Sequence, residues 1–215
     1  MFLLALALVV ILVLYRVFSI LPGQQRAVKQ TKTKSLAVFL GSGGHTSEAL
    51  TLISALDFDR YSPRTYVASE GDSLSLQKAV ELESSKATPE SPAQYTILTI
   101  PRARNVHQPL VTTLPTAFYS LLSCIYQVTL TRGSSFADAL ILNGPGTCFI
   151  LCIAVYVSKF LGLSAPRVIY IESFARVESL SLSGKLLYPF VDRFVVQWPQ
   201  LLKKAKGAEF HGLLV

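Results

Sequence analysis

A cluster of glycines follows directly after a short apolar run in the first quarter of the chain. The run is Leu36–Leu40, and the cluster Gly41–Thr46 holds three glycines and a histidine. An apolar run bounded by turn residues predicts a buried strand, and the glycines predict a tight turn whose bare backbone can approach a ligand. Backbone N–H groups at such a turn, together with the positive end of the following helix, form a site for phosphate or another anion. The structural alternative is a turn that only packs the strand against the helix.

The glycine cluster fits neither of two well-known phosphate-binding motifs. A P-loop needs Gly-x-x-x-x-Gly-Lys-Ser/Thr, and no lysine follows here. In a dinucleotide fingerprint the third glycine would stand at Thr46, and Arg60–Thr65 contains no acid that could hold a ribose. A nucleotide-dependent oxidoreductase is therefore a weak alternative for this chain.

Two residues at the ends of apolar runs could transfer a proton. His45 stands at the mouth of the glycine turn, where it could act as a general base or, when protonated, bind an anion. Glu172 ends a β-branched run and could act as a base or bind a hydroxyl. Each has a structural alternative, because His45 could cap a helix and Glu172 could pair with Arg176 to tie a loop. The sequence leaves open which residue is the base.

A second turn that exposes backbone comes later in the chain, at Asn143–Gly146. In isolation it is an ordinary strand-to-helix loop, but two such turns at one edge of a sheet suit a ligand with more than one phosphate or sugar group. Arg102 and Arg104 follow another apolar run and could add phosphate contacts or lie against lipid headgroups.

Apolar runs and helical stretches alternate throughout the body of the chain. This alternation predicts an α/β fold, a Rossmann-like parallel sheet with helices on both faces. In such sheets ligands bind beyond the carboxyl ends of the strands, which is where the residues named above would collect. The predicted strands are Leu36–Leu40, Arg64–Ser69, Tyr95–Ile100, Asp138–Asn143, Arg167–Glu172 and Arg193–Gln197.

The N-terminus combines an apolar segment with most of the net charge. The 215 residues carry a net charge of +7, and five basic residues precede the first acid, Glu48. A charge confined beside an apolar segment indicates a membrane flank and argues against a nucleic-acid-binding domain. Residues 1–21 are predicted as a transmembrane anchor of about 20 residues, with the N-terminus lumenal and the body cytosolic. Residues 22–35 form a basic linker, and residues 36–215 one domain; a cleaved signal peptide is the alternative to the anchor.

A second uncharged stretch, Leu110–Leu130, contains Pro115 and several hydroxyl residues. It is too polar for a membrane span, and a helix packed on the sheet with one face against the bilayer fits better. The three cysteines, Cys124, Cys148 and Cys152, stand in apolar surroundings and are expected as buried thiols; no metal site is expected.

Four motifs together resemble one family. They are Gly41–Glu48, Ile100–Val106, Asn143–Cys148 and Tyr170–Lys185. The chain is similar to the membrane-anchor subunits of the eukaryotic UDP-N-acetylglucosamine transferase of asparagine-linked glycosylation. More distantly, it resembles the N-terminal half of the bacterial glycosyltransferase that completes the lipid-linked peptidoglycan precursor.

The resemblance implies a GT-B glycosyltransferase that is divided between two chains. This chain would be the acceptor-side half at the cytosolic face of the endoplasmic reticulum, with the nuclear envelope as a further location. A soluble catalytic partner would bind the donor UDP-GlcNAc, and no cofactor would be bound by this chain. The heterodimer would add the second N-acetylglucosamine to GlcNAc-pyrophosphoryl-dolichol, and the isolated chain would be inactive. A module that only recruits a complete enzyme is the alternative.

The resemblance also implies roles for particular residues. His45 and Glu172 would lie at the active cleft, and the apolar C-terminal segment would dock against the partner through Phe210, Leu213, Leu214 and Val215. The residues expected to face the acceptor and its pyrophosphate are Gly41, Ser42, Gly43, Gly44, Thr46, Arg102, Arg104, Asn143, Gly144, Gly146, Ser173 and Arg176.

Overall fold

Seven strands form a single parallel sheet in the order β3-β2-β1-β4-β5-β6-β7. The computed structural model describes residues 1–23, 32–89, 92–104, 108–130, 136–144 and 146–214. The strands are β1 Leu36–Leu40, β2 Arg64–Ser69, β3 Tyr95–Ile100, β4 Ala139–Leu142, β5 Arg167–Ile171, β6 Arg193–Val196 and β7 Glu209–Phe210. The predicted parallel α/β fold is confirmed, and β7 is a two-residue edge strand that the apolar pattern did not indicate.

The helices connect these strands and cover both faces of the sheet. They are α1 Phe2–Ser19, α2 Gly44–Ser54, α3 Ser73–Lys86, α4 Leu110–Ile125, α5 Thr147–Phe160 and α6 Leu182–Leu187, with a π-helical turn at Tyr126–Leu130 and 3₁₀ turns at Tyr188–Phe190 and Pro199–Lys203. Side chains of β1 alternate between two buried clusters: Ala37 and Phe39 join the residues of α4 and α5, whereas Val38 and Leu40 join those of α2 and α3.

The order of the strands reverses between β1 and β4. The chain moves outward from β1 to β2 and β3, and then returns to place β4 on the other side of β1. The loops that leave β1 and β4 therefore start side by side, at the point where open α/β sheets bind ligands. The two glycine turns predicted from the sequence are these two loops.

Helix α1 is the one helix in the described parts of the chain that is long and apolar enough to cross a membrane. It has 18 residues and a mean hydropathy of 2.6, and none of its residues is buried within the protein. Its C-terminal end is attached to the C-terminal end of α5. Arg16 Nε donates to the carbonyl of Phe160 at 2.9 Å, Arg16 Nη2 donates to that of Lys159, and Ile20 is buried. Of the predicted linker, residues 24–31 lie outside the described residues.

Helix α4 packs against the body on one side and leaves an apolar stripe on the other. Val111, Leu114, Phe118 and Leu122 are spaced at three or four residues and are at least half exposed. On the inner side, the hydroxyl of Ser120 donates to the carbonyl of Pro101 at 2.6 Å. The prediction of a helix packed on the sheet is confirmed.

A buried ion pair joins β2 to α3 at the end of the sheet opposite the two glycine turns. Arg64 Nε and Nη2 donate to the two carboxylate oxygens of Glu83 at 2.6 and 2.8 Å, and the hydroxyl of Tyr66 donates to Glu83 at 2.7 Å. Burial and the neighbouring carboxylate of Glu83 raise the pKa of Tyr66. Because all of these groups are hydrogen-bonded, the pair fixes how α3 lies on the sheet.

All three cysteines are buried, as expected. Burial raises the pKa of the Cys124 and Cys152 thiols to about 12, and that of Cys148 well above its ordinary value. Thiols with pKa values this high stay protonated and unreactive at neutral pH.

Candidate functional site

The loops after β1 and β4 touch where two glycines leave room for them. A Cβ atom at Gly41 would lie 2.7 Å from the carbonyl oxygen of Asn143 and 2.9 Å from Cβ of His45. A Cβ at Gly144, whose φ is +130°, would lie 3.1 Å from Cα of Gly41. A side chain at Gly41 would overlap the Asn143 carbonyl, and one at Gly144 would both crowd the Gly41 backbone and be strained at this φ angle. These two glycines therefore allow the two loops to pack against each other.

The remaining glycines of the two turns are open. A Cβ at Gly43, Gly44 or Gly146 would meet nothing within 4 Å. Ser42 and Gly43 have positive φ angles of 61° and 55°, which turn the backbone sharply into α2. Neither α2 nor α5 has a side-chain cap at its N-terminus. Two helices thus begin near one crevice, and no side chain caps the N–H groups of their first turns. This arrangement favours the binding of an anion.

A cavity of about 750 Å³ opens beside these turns. Its lining combines residues that the sequence predicted for acceptor binding with apolar side chains from β1, α4, α5 and α6. The predicted residues that line it are Gly41, Ser42, Arg102, Arg104 and Gly146, and the apolar ones include Phe39, Ala117, Phe149, Ile150, Leu182 and Leu186. Such a lining offers contacts both to an anionic group and to an apolar chain.

The two arginines at this cavity are held by backbone carbonyls. Arg102 Nε donates to the carbonyl of Glu70 at 3.2 Å, and Arg104 Nε and Nη2 both donate to that of Gln108, at 3.0 and 2.8 Å. Arg176, the third predicted arginine, is exposed and does not line the cavity. Of the three, Arg102 and Arg104 are thus placed to meet a phosphate in this cavity.

A chain of hydrogen bonds runs from His45 across the two loops. His45 Nδ1 and Asn143 Oδ1 are 2.7 Å apart, and Asn143 Nδ2 donates to Glu48 Oε2 at 3.0 Å. The hydroxyl of Ser173 donates to Glu48 Oε1 at 2.9 Å, and the backbone N–H of Phe174 donates to Oε2 at 3.2 Å. His45 is half-buried, whereas Asn143 is fully buried. The network joins the ends of β1, β4 and β5.

Glu48 was not among the residues predicted for the site. The signal in the sequence was its spacing, because a residue three positions after His45 on a helix lies on the same face. The apolar pattern did not draw attention to a single acid at this position.

Glu172 is fully buried at the end of β5 and holds the following loop. Its Oε1 accepts from the N–H of Ser173 at 3.1 Å, and its Oε2 accepts from the N–H and the hydroxyl of Ser181 at 2.9 and 3.1 Å. A Cβ at Gly184 would overlap Oε2. These contacts indicate a positioning role, and they are not the pair with Arg176 considered above. A catalytic role for Glu172 stays a prediction without support from its geometry.

Thr46 faces away from the cavity. It is 1 % exposed, and its hydroxyl lies 2.7 Å from that of Ser75. The Ser75 hydroxyl donates its own proton to Asp72 at 2.8 Å, so it accepts the hydrogen bond of Thr46. The structure therefore does not bring Thr46 to the acceptor side. Its hydroxyl joins the first turns of α2 and α3, and α2 begins at Gly44 without a cap from Thr46.

The C-terminal segment is divided between the two faces of the sheet. Phe210 packs against the cluster on the α4 and α5 side, and Leu214 packs against the cluster on the α2 and α3 side. Leu213 is 57 % exposed. Val215 lies outside the described residues. Among the predicted partner contacts in the described chain, Leu213 thus offers the most surface.

The fold is that of one half of a GT-B glycosyltransferase. The solved structure of UGT89C1 from Arabidopsis thaliana, in complex with quercetin, superposes with a TM-score of 0.51 at 15 % sequence identity. The match covers 85 % of this chain and 49 % of the other, so this chain spans about half the length of that structure. The predicted GT-B half is confirmed.

Residues 36–214 match the family described as oligosaccharide biosynthesis protein Alg14 like, and the chain belongs to that family. A UDP-N-acetylglucosamine transferase subunit from Schizosaccharomyces pombe is 48 % identical over 88 % of this chain and 90 % of its own length. The subunit of the same name from Cryptococcus neoformans is 48 % identical over 84 % of this chain and 80 % of its own length. The one from Rattus norvegicus is 35 % identical over 95 % of this chain and 93 % of its own length. The resemblance found in the sequence motifs is confirmed.

The packing of the two loops predicts different results for two glycines three positions apart. Gly41→Ala places a methyl group 2.7 Å from the Asn143 carbonyl, so the loops must separate and His45 must move. A displacement of about 1 Å near reacting groups can lower a rate by a factor on the order of 100. We therefore expect Gly41→Ala to lower the transferase activity of the assembled enzyme by about 10- to 100-fold. Gly44→Ala is the matched control for packing, because a Cβ there meets no protein atom within 4 Å, and its free energy of unfolding should stay near that of the wild type. A Gly41→Ala variant that is as stable as Gly44→Ala and fully active would contradict this account of the loops.

Proposed function

We propose that the chain is the membrane-anchored, acceptor-binding subunit of a two-chain UDP-N-acetylglucosamine transferase. In this proposal the heterodimer adds the second N-acetylglucosamine to GlcNAc-pyrophosphoryl-dolichol, at the cytosolic face of the endoplasmic reticulum. The family supports the transferase and the word "subunit" in the names of the relatives supports a partner. The observation that carries the acceptor role is the cavity at the strand ends, whose lining combines two arginines and glycine turns with apolar side chains.

The polar part of the lining suits the pyrophosphate. Arg102, Arg104, the first residue of α5 and the turn that leads into α2 line the cavity, and neither helix has a side-chain cap at its N-terminus. A pyrophosphate carries two phosphoryl groups, and two helix ends offer two separate sets of N–H donors. An arginine adds charge-assisted hydrogen bonds, which are stronger than those between neutral groups.

The apolar part of the lining suits the first units of a polyisoprenoid chain. Ala117 of α4 and Leu182 and Leu186 of α6 belong to it. Leu182 and Leu186 are 74 % and 45 % exposed, so these two side chains are accessible both from the cavity and from solvent. We place the lipid chain along them, since a lipid that stays partly in the bilayer must leave the cavity at the protein surface.

Two features support a position of this surface at a membrane. Arg16 in the last turn of α1 donates to the C-terminal end of α5, and the uncharged helix α4 exposes an apolar stripe. We place the stripe against the cytosolic leaflet, with α1 crossing the bilayer and its N-terminus in the lumen. The basic residues that follow α1 support this direction, since positive charge favours the cytosolic side.

The donor UDP-GlcNAc is assigned to the partner subunit, and no cofactor is assigned to this chain. The chain matches 49 % of a GT-B glycosyltransferase, and the crevice at its strand ends is bounded by one sheet. A second Rossmann-like half would close that crevice and bring the donor. Leu213, at the exposed C-terminal end, supports docking of the partner there.

The division of the enzyme predicts that neither chain acts alone. The full chain, purified in detergent free of partner, is expected to transfer no N-acetylglucosamine from UDP-GlcNAc to a short-chain lipid pyrophosphate that carries one N-acetylglucosamine. Addition of the soluble partner should restore transfer, and a product with two sugars should appear by mass spectrometry. Transfer by the partner-free chain would overturn the division, whereas an inactive mixture of the two chains would overturn the proposed reaction.

The arginines at the cavity predict a specific effect on acceptor binding. Arg102→Gln removes one charged partner of the pyrophosphate, so the KM for the lipid pyrophosphate should rise by about tenfold. Arg176→Gln is the matched control, because Arg176 is exposed and does not line the cavity; its KM should change by less than about twofold. Steady-state kinetics at saturating UDP-GlcNAc measures both. A larger effect at Arg176 than at Arg102 would place the pyrophosphate at the loop after β5.

The stripe on α4 predicts contact with lipid at Phe118. Because the native cysteines are buried, Phe118→Cys can be labelled selectively with an environment-sensitive fluorophore in the chain reconstituted into vesicles. Lipids brominated along their acyl chains should quench this label strongly. Leu74→Cys is the matched control, since Leu74 is 60 % exposed on α3 at the other face of the sheet and should stay unquenched. Equal weak quenching at both positions would mean that α4 faces water.

A further inference from the structure

We infer that Glu48 is a positioning residue that, through Asn143, keeps the proton of the neutral His45 ring on Nδ1 and leaves Nε2 as a free acceptor. The inference concerns three side chains at the ends of β1 and β4, and only its catalytic consequence rests on the proposed function. It assigns a role to an acid that the sequence did not single out.

The carboxylate of Glu48 is surrounded by groups that donate. Its Oε2 accepts from the backbone N–H of Phe174 at 3.2 Å, and its Oε1 accepts from the Ser173 hydroxyl at 2.9 Å. A backbone N–H cannot accept a hydrogen bond, so Oε2 must act as an acceptor. The third group at Glu48 is the side-chain amide of Asn143, 3.0 Å from the same Oε2. This amide must therefore present its NH₂ group to Glu48.

The orientation of the amide decides the tautomer of His45. An asparagine side chain has donors at one end and an acceptor at the other. With the NH₂ of Asn143 directed at Glu48, its Oδ1 faces His45 Nδ1 at 2.7 Å. A hydrogen bond at this distance requires a proton on Nδ1, and a neutral ring then carries a lone pair on Nε2. In the reverse orientation the amide would donate to Nδ1, and Nε2 would carry the proton.

The surroundings hold the ring in this arrangement. Asn143 is fully buried, so water does not compete for its amide. A Cβ at Gly144 would lie 3.5 Å from Cγ of His45, so the backbone of the second loop lies against the ring. Within the described residues, His45 has one hydrogen-bonded neighbour, Asn143, and Nε2 is not bonded to the protein.

The consequence for the proposed reaction is a base of defined geometry. Nε2 of the neutral ring can accept the proton of the acceptor hydroxyl while the hydroxyl oxygen bonds to C1 of the donor sugar and UDP departs with the electrons of the broken bond. The opposite tautomer would present an N–H to the same hydroxyl and could not accept its proton. Glu48 thus acts through Asn143 without touching the substrate.

Two substitutions at position 48 separate this role from a role in packing. In Glu48→Gln, the side-chain oxygen can accept from Asn143 and Phe174 while the NH₂ group donates to Ser173, so the tautomer should be kept. Glu48→Met has a similar length but no acceptor, so the Asn143 amide is free to turn over. Should Glu48→Met fail to fold, Glu48→Ala removes the same acceptor without adding bulk.

The tautomer is read directly by NMR. The full chain, with ¹⁵N in its histidine rings, is reconstituted with the partner in detergent micelles, and long-range ¹H–¹⁵N correlations are recorded. The chain has three histidines, so a spectrum of His45→Gln assigns the signals of His45. We expect a protonated Nδ1 and an unprotonated Nε2 in the wild type and in Glu48→Gln. In Glu48→Met a substantial fraction should shift to protonated Nε2.

Kinetics gives an independent reading of the same variants. Glu48→Met should lower kcat by about tenfold or more while the KM for the acceptor changes little, and Glu48→Gln should restore most of kcat. A wild-type ring protonated on Nε2, or an unchanged tautomer in a folded Glu48→Met or Glu48→Ala, would overturn the inference. Failure of the wild-type complex to transfer sugar would instead overturn the proposed function, since the tautomer is measured without turnover.

Discussion

The close approach of the loops after β1 and β4 is the constraint on which the site depends. Gly41 and the Asn143 carbonyl approach so closely that a Cβ between them would be 2.7 Å from the oxygen. This contact exists because β1 and β4 are neighbours at the point where the strand order reverses. It brings His45 from one loop to Asn143 of the other and directs the first turns of α2 and α5 to one crevice. The glycines are thus needed first for packing, and the chemistry of the crevice follows from that packing.

Helix α5 connects this crevice to the anchor. It begins at Thr147, directly after the second turn, and its last carbonyls accept the hydrogen bonds of Arg16. With 14 residues it spans about 21 Å, at a rise of roughly 1.5 Å per residue. The positive end of the helix dipole therefore lies at the crevice, and Arg16 of α1 places a positive charge at its negative end. Helix α5 thus sets the distance and the orientation between the crevice and the C-terminal end of α1.

Local patterns predicted the fold and the position of the site but not all of its contacts. The apolar runs correctly indicated six strands, and the rule for parallel sheets correctly placed the glycine turns at one edge. The sequence did not reveal that the side chains of Thr46 and Glu172, which stand beside turns, are buried and hydrogen-bonded within the protein. Their partners, Ser75 and Ser181, lie 29 and 9 residues away, and contacts between elements are not visible in a local pattern. The edge strand β7 was missed because two residues carry no periodicity.

The division of labour between two chains is consistent with the geometry of a single sheet. A ligand bound beyond the ends of parallel strands contacts the protein on one side, and the other side stays open to solvent. One Rossmann-like half can bind an anion through helix ends and arginines, because such contacts need protein on only one side of the ligand. A glycosyl transfer needs more, since the departing nucleotide must be bound opposite the acceptor and water must be kept away from the donor carbon. On the proposed function, the partner subunit supplies the protein surface on the other side of the crevice. A lipid acceptor held at the membrane by one chain and a soluble donor delivered by the other then meet only where the two chains close the crevice.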